Sequence, residues 1–156
     1  MQFFKMLERS LQNKTFLSLI MQTSVIPYLN FNGNCREAMT FYKEALNANL
    51  EIMDMGDSPM EVPETSKDHV MHSILTLENI TIMASDTMPG QSITFGNSVS
   101  LSINCTSREQ ADRFFNNLKL NGNILMPLQD TFWGAYFGMI TDRFGINWLF
   151  NYDEVK

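Results

Sequence analysis

Two segments of the chain carry the same helix signal at a constant spacing of 73 residues. Each signal begins with a residue that commonly caps a helix and continues with apolar residues at helical spacing. The matching pairs are Asn34 with Ser107, Ala38 with Ala111, Phe41 with Phe114, and Tyr42 with Phe115. A cap and three apolar positions in one register indicate an internal duplication, so the chain must fold as two similar units.

Strand patterns surround each helix and complete the two units. In the first unit, strands are predicted at 25–31 and 50–55, followed by a hairpin of 69–77 and 80–85 across Glu78 and Asn79. In the second unit they are predicted at 98–105 and 123–126, followed by a hairpin of 135–141 and 146–151. The sequence therefore predicts an α+β fold of two βαβββ modules that form one cupped mixed sheet. Module one spans 24–86, module two spans 97–152, and both belong to a single domain of residues 24–156. Residues 1–23 are interpreted as an N-terminal extension.

Composition excludes several classes of function. A net charge of −6 without a cluster of Lys and Arg argues against a nucleic-acid partner. No apolar run reaches the roughly 18 residues that a membrane helix requires, so no membrane partner is expected. The two cysteines, Cys35 and Cys105, are too few for a disulfide scaffold. They are expected to be free thiols in a reducing compartment, which predicts a cytoplasmic protein.

The alternation of strand residues predicts which face of the sheet forms a pocket. In the strand from residue 98, one face carries Ser98, Ser100 and Ser102, which suits a hydrated concavity or an exposed sheet face. The opposite face, Val99, Leu101 and Ile103, is expected to pack on the helix. In the first hairpin, a two-residue turn places six side chains on one face. They are His72, Ile74, Thr76, Thr81, Met83 and Ser85.

Several segments together resemble a known superfamily. They are Pro27–Gly33 with Glu37, Ala38, Phe41 and Tyr42, then Met83–Asp86, Phe132–Gly134, Asp142–Gly145 and Trp148. These motifs resemble the vicinal oxygen chelate superfamily, also called the glyoxalase/bleomycin resistance/dioxygenase group. Within it they resemble the PhnB-like branch, whose domain is called 3-demethylubiquinone-9 3-methyltransferase-like. The resemblance covers residues 24–152 and implies paired βαβββ modules, a homodimer, and a small-molecule cup.

The resemblance also implies four inward positions that hold a divalent metal in the metal-dependent members. In this chain they fall on Pro27, Met83, Leu149, and either Ser98 or Ser100. None carries an imidazole or a carboxylate, so no metal site of that type and no cofactor are predicted. His69 and His72 do not replace it, because side chains three apart on a strand point to opposite faces.

The candidate pocket residues follow from the face assignment, the resemblance and a group of aromatic side chains at 132–137. They are Phe31, His72, Ile74, Met83, Ser85, Ser98, Ser100, Trp133, Phe137 and Leu149. His72 is either a ligand contact or a half-buried side chain hydrogen-bonded to Ser85. Trp133 and Phe137 either form a wall for a flat ligand or pack in the core or a dimer contact. Cys35, at the start of a helix, is either a thiol of lowered pKa or a structural residue.

Two functions remain open at this level. The first is a protein that binds a small-molecule ligand in a metal-free cup. The alternative is an enzyme of lyase, isomerase or oxygenase type with a relocated site, in which His72 and Ser85 form the polar centre. The sequence identifies neither the ligand nor catalytic residues.

Overall fold

A computed structural model describes residues 24–59 and 61–154 of the chain. The interpretation of residues 1–23 as an N-terminal extension lies outside the described residues. The first module contains β1 (Tyr28–Phe31), α1 (Cys35–Leu46), β2 (Asn49–Asp54), β3 (Val70–Leu77) and β4 (Ile80–Asp86), with short 3₁₀ helices at Met55–Asp57 and Glu64–Ser66. The second contains β5 (Leu101–Asn104), α2 (Arg108–Leu118), β6 (Asn123–Asp130), β7 (Ala135–Thr141) and β8 (Asn147–Asp153).

The two modules have the same strand order, which confirms the duplicated βαβββ fold. The first module forms a four-stranded sheet in the order β1-β4-β3-β2, and the second forms one in the order β5-β8-β7-β6. In each sheet the first strand pairs parallel to the last, and the other pairs are antiparallel. The predicted single sheet is therefore divided in two, and β1 and β5 are each an edge strand of their sheet.

The first hairpin has the register that its alternation predicts. Ile74 pairs with Met83, Thr76 pairs with Thr81, and the turn residue Glu78 has a φ of 49°. The prediction of a strand beginning at Ser98 is wrong, because β5 begins only at Leu101, opposite Trp148 of β8. Among the described residues, no strand pairs with the segment just before Leu101.

The two helices begin in different ways. Ser107 accepts a hydrogen bond from the amide of Gln110 at 3.1 Å, as the capping pattern predicts for α2. Asn34 makes no side-chain cap for α1. The carboxylate of Asp86, at the end of β4, instead accepts the amide of Cys35 at 2.9 Å, and its second oxygen accepts the amide of Val70 at 2.9 Å.

Both helices lie on one side of the sheets, over a hydrophobic core that both modules share. Its largest fully buried side chains include Trp148, Tyr42, Phe114 and Phe150. Phe31 is also fully buried here, with its ring 6.4 Å from that of Phe144. The prediction that Phe31 lines the pocket is therefore wrong, because alternation along β1 directs it to the helices.

A buried carboxylate joins the modules. Asp142, in the β7–β8 turn, is 4% exposed. One of its oxygens accepts the hydroxyl of Tyr42, on α1, at 2.7 Å and the indole N–H of Trp148 at 2.8 Å. The other accepts the amides of Phe144 and Ile146 at 2.8 and 3.0 Å. These bonds hold the second module's turn against the first module's helix.

Candidate small-molecule site

The first cup face is the side of the first sheet that points away from the helices. Alternation places on it Tyr28 and Asn30 from β1, His72 and Ile74 from β3, and Met83 and Ser85 from β4. The side chains from β3 and β4 are half-buried although neither α1 nor α2 lies on this side. The structure therefore brings four of the predicted pocket residues together: His72, Ile74, Met83 and Ser85.

His72 has a different partner from the one that the hairpin suggests. Its Nδ1 lies 3.2 Å from the hydroxyl of Tyr28, and the two rings stack with their centroids 5.8 Å apart. Ser85 instead donates to Asn30 Oδ1 over a long 3.4 Å. Tyr28 and Asn30 are site residues that the sequence analysis missed, because only the parallel β1–β4 pairing brings them beside β3 and β4.

The second cup face is the corresponding side of the second sheet. It carries Ser102, Phe137, Met139 and Leu149, which β5, β7 and β8 hold in adjacent register. Trp133 lies in the β6–β7 turn, 55% exposed, with its ring centroid 5.9 Å from that of Phe137. The predicted residues Phe137, Leu149 and Trp133 thus belong to this second sheet.

Ser98 and Ser100 do not form the predicted row of strand serines. Both are exposed in the segment before β5, and the intervening Val99 is 71% exposed and does not pack on a helix. Ser102 is the serine of this run that lies in the strand, opposite Leu149. The hydroxyls of the second cup face are therefore those of Ser102 and, at the end of β7, Thr141.

A cleft of about 290 Å³ lies where the edges of the two sheets meet. We call it the seam cleft. Twelve residues line it: Tyr28, Leu29, Asn30, Ile93, Thr94, Phe95, Gly96, Val99, Leu101, Gly145, Ile146 and Asn147. β1 and its neighbours supply one wall and the approach to β5 supplies the other, and the cleft borders the first cup face at Tyr28 and Asn30.

Two of the implied metal positions, Met83 and Leu149, lie on the two cup faces, whereas Pro27 precedes β1 and Ser98 and Ser100 precede β5. The residues on the cup faces at these positions do not fit a divalent metal. In register, Tyr28 lies opposite Met83, and Ser102 lies opposite Leu149. A phenol, a thioether, a hydroxyl and an alkyl side chain lack the imidazole and carboxylate donors that such ions take. Within residues 24–59 and 61–154, no three His, Cys, Asp or Glu side chains are grouped as metal ligands.

The thiols do not contribute a nucleophile to either face. Cys35 is fully buried on the helix side, and burial raises its pKa to about 12, so the helix-dipole alternative for this residue is wrong. Burial also raises the pKa of Cys105, to about 11. Both cysteines are free. The ionisable side chains of the first cup face are instead Tyr28, His72 and the exposed Glu51 of β2, which lies opposite Ile74 in register.

Comparisons with known proteins agree with this architecture. A family model described as 3-demethylubiquinone-9 3-methyltransferase matches residues 23–150. Protein YjdN of Escherichia coli strain K12 is 33% identical over 139 residues, covering 80% of this chain and 92% of that protein. Within the described residues, no helix has the length and apolar character to cross a membrane.

Solved structures give the same result. Protein PA1353 from Pseudomonas aeruginosa is 43% identical with a TM-score of 0.78, covering 85% of this chain and 98% of that one. The PhnB protein from Bacillus cereus is 28% identical with a TM-score of 0.67, covering 83% and 99%. A glyoxalase-related enzyme from Fulvimarina pelagi shares the fold, at 16% identity and a TM-score of 0.55 over 86% of this chain and 91% of that one.

Proposed function

We propose that this chain, which belongs to the family described as 3-demethylubiquinone-9 3-methyltransferase and has a PhnB-like glyoxalase fold, binds a small molecule in its cup without a metal ion. The observation that carries the proposal is the chemistry of two strand pairings, Tyr28 with Met83 on the first cup face and Ser102 with Leu149 on the second, which we call the central positions. These side chains suit van der Waals contact and neutral hydrogen bonds, which are the interactions that orient an organic ligand.

The surroundings of the central positions support a partly aromatic ligand. Trp133 and Phe137 form an edge-to-face pair with an interplanar angle of 68° beside the second cup face. On the first cup face, the Tyr28 and His72 rings stack within 28° of parallel. Flat rings bind between such surfaces, while Ser85, Ser102 and Asn30 supply polar contacts at the edges.

A methyl-donor cofactor does not fit the residues present, although the family description names a methyl transfer. Nucleotide-type cofactors commonly place an anionic group at the start of the helix that follows a first strand, beside a Gly-rich loop. Here the carboxylate of Asp86 already occupies the start of α1, 2.9 Å from the amide of Cys35, and the β1–α1 turn holds the single glycine Gly33. A second anion at that position would meet the buried charge of Asp86.

A ligand screen in chelator-containing buffer tests the proposal. Compounds that raise the melting temperature are taken to equilibrium dialysis with the full chain and with two variants. Trp133→Ala removes an indole at the cup and is expected to weaken binding at least tenfold. Leu120→Ala, a change at a 54% exposed apolar residue after α2, is the matched control and should bind as the parent does. Unchanged affinity in Trp133→Ala would remove this residue from the site, and ligands that bind only after metal addition would contradict the metal-free cup.

The hydrogen-bonded pair of His72 and Tyr28 favours a second function, an enzyme of lyase, isomerase or oxygenase type. Imidazole and phenol at 3.2 Å can pass a proton between them, which the predicted pairing of His72 with Ser85 would not provide as directly. In this function the ligands from the screen are also substrates. His72→Gln should then abolish their turnover while dialysis still detects binding, whereas ligands recovered unchanged from the parent protein would exclude it.

The proposal includes a homodimer in the cytoplasm. Edge strand β6 exposes Ile124 by 45% and Leu125 by 50%, and the following turn exposes Phe132 by 98%. An unpaired strand edge beside apolar side chains is a surface that a second copy can cover. The buried free thiols of Cys35 and Cys105 suit a reducing compartment. Light scattering should give twice the mass of one chain, and a monomer across the concentration range would contradict the dimer.

A further inference from the structure

The seam cleft carries no charge on its lining. Its twelve residues include no Asp, Glu, Lys, Arg or His, although 18% of the chain is charged. Leu29, Phe95, Val99 and Leu101 supply apolar walls from both modules. An ionised group that leaves water for such a place without a partner loses hydration that the lining does not replace. The lining therefore selects against charged ligands.

Most polar groups at the seam already have structural partners. The amide of Asn147 donates to the carbonyls of Gly96 and Val99 at 3.3 and 3.2 Å, and its oxygen accepts Thr141 Oγ1 at 2.7 Å. These bonds fix the linker that forms one wall. Asn32 fixes the same linker further back through two bonds to the backbone of Ile93. The walls are thus held open by the protein's own hydrogen bonds.

Two polar side chains of the lining, Thr94 and Asn30, are left for a ligand, and the one that borders the first cup face is Asn30. Its oxygen accepts the long bond from Ser85 Oγ at 3.4 Å, and its Nδ2 has no partner among the described residues. The neighbouring Tyr28 hydroxyl is engaged with His72. A ligand in the cleft therefore finds neutral donors at Asn30 and Thr94, and the Asn30 amide, beside the first cup face, suits a carbonyl or hydroxyl oxygen.

The volume limits the size of the bound group. A benzene-sized ring occupies a cavity of roughly 150 Å³. The seam cleft, at about 290 Å³, accommodates a flat group of about two fused rings. A longer or branched ligand would have to extend beyond the cleft, which borders the first cup face at Tyr28 and Asn30.

We propose that the seam cleft binds the uncharged, flat ring portion of an aromatic ligand, up to two fused rings in size, with an oxygen acceptor directed to Asn30. This inference rests on the proposed function, since it names the class of ligand that the cup takes and the place where its ring is held. It also predicts that the protein binds neutral aromatic ligands more tightly than anionic ones, which the ligand screen in chelator-containing buffer does not test.

The test uses two naphthalene probes of equal ring size, 2-naphthol, which is neutral at pH 7, and 2-naphthoate, which is anionic. Equilibrium dialysis with the full chain in chelator-containing buffer measures both affinities. The expected result is binding of 2-naphthol at least tenfold tighter than binding of 2-naphthoate. Equal affinity, or tighter binding of the anion, would overturn the inference.

Variants that fill the cleft locate the probe. A Cβ at Gly96 meets no atom within 4 Å and the residue has no positive φ, so Gly96→Leu is expected to fold normally and occupy the cleft. Val99→Phe fills it from another position, and Leu120→Phe is the control outside it. Both filling variants should weaken 2-naphthol binding at least tenfold, and the control should not change it.

The outcomes separate this inference from the proposed function. If Trp133→Ala weakens binding of 2-naphthol and the filling variants do not, the cup binds but the ring lies outside the seam, and the inference fails alone. If 2-naphthol does not bind and Gly96→Leu instead dissociates a dimer in sedimentation, a second copy of the chain occupies the cleft and the inference also fails. Loss of binding in the filling variants with an unchanged melting temperature supports it.

Discussion

Replacing Asp142 by Asn removes one acceptor oxygen from the buried junction between the modules. The substitution therefore tests how much the hydrogen bonds of this junction contribute to stability. In the parent protein one carboxylate oxygen accepts from Tyr42 and Trp148, and the other accepts from two backbone amides of its own turn. An Asn side chain has one oxygen, and its NH₂ group can only donate. If the oxygen keeps the turn amides, the NH₂ group can still donate to the Tyr42 hydroxyl, but it faces the indole N–H of Trp148.

The magnitude follows from that mismatch. An orphaned buried donor costs about 1–3 kcal/mol, and bonds to a charged acceptor are worth roughly twice those to a neutral one. The opposite orientation of the Asn side chain, with its NH₂ group toward the turn, is less stable, because it leaves two backbone N–H groups without acceptors. The free energy of unfolding should therefore fall by about 2–4 kcal/mol. With a urea slope of about 2 kcal/mol per molar, the midpoint should move down by about 1–2 M.

Urea unfolding followed by circular dichroism measures this loss. Asp153→Asn, at an exposed aspartate in β8 that accepts from Asn151, is the matched control and should change stability by less than about 0.5 kcal/mol. In a Trp148→Phe background the indole donor is absent, so the additional cost of Asp142→Asn should fall by about 1–3 kcal/mol. A cost equal to that of the control, or one unchanged by Trp148→Phe, would refute the reasoning.

Two further predictions concern a glycine and the thiols. Gly122→Ala should destabilise the fold by about 1–3 kcal/mol in urea unfolding, because its Cβ would lie 2.5 Å from the backbone oxygen of Thr141. Gly96→Ala is the control and should leave stability unchanged. Equal stability of the two variants would contradict this prediction. Burial raises the pKa of Cys105 to about 11 and that of Cys35 to about 12, above the usual thiol value of 9.0. Below pH 9 both thiols keep their protons in the folded and unfolded states, and the stability of the fold is fully present. Above pH 9 the unfolded state loses these protons first, so stability falls until the pH passes the raised pKa values. Stability should fall by about 1.4 kcal/mol per pH unit for each thiol above pH 9, with a shallower slope in Cys35→Ala; an identical slope in that variant would contradict the burial argument.

The parts of the fold that depend on short-range pattern could be predicted from the sequence. The β3–β4 register follows from alternation and a two-residue turn, and the Ser107 cap follows from a local motif. The start of α1 could not be predicted in this way, because Asp86, 51 residues from Cys35, replaces the local cap. A hydrogen bond from a distant strand leaves no signal in the neighbouring sequence.

The candidate site was predictable in part for the same reason. His72, Ile74, Met83 and Ser85 share one hairpin, so alternation alone groups them. Tyr28 and Asn30 join them only through a parallel pairing that is not local. The predictions for Phe31, Ser98 and Ser100 fail because the sequence does not show where β1 and β5 begin. The face of a strand residue reverses with each step along the strand, so an error in the start of a strand changes the predicted face.

Methionine methyl NMR tests the central claim, a cup that binds small molecules without metal, most directly. Met83 reports on the first cup face, and the fully buried Met39 reports on the core. A library of small aromatic compounds is titrated in chelator-containing buffer, and Met83→Leu assigns the signal. Saturable shifts of Met83 with Met39 unchanged are the predicted result. A Met83 signal that responds to the library only after a divalent metal is added would contradict the account.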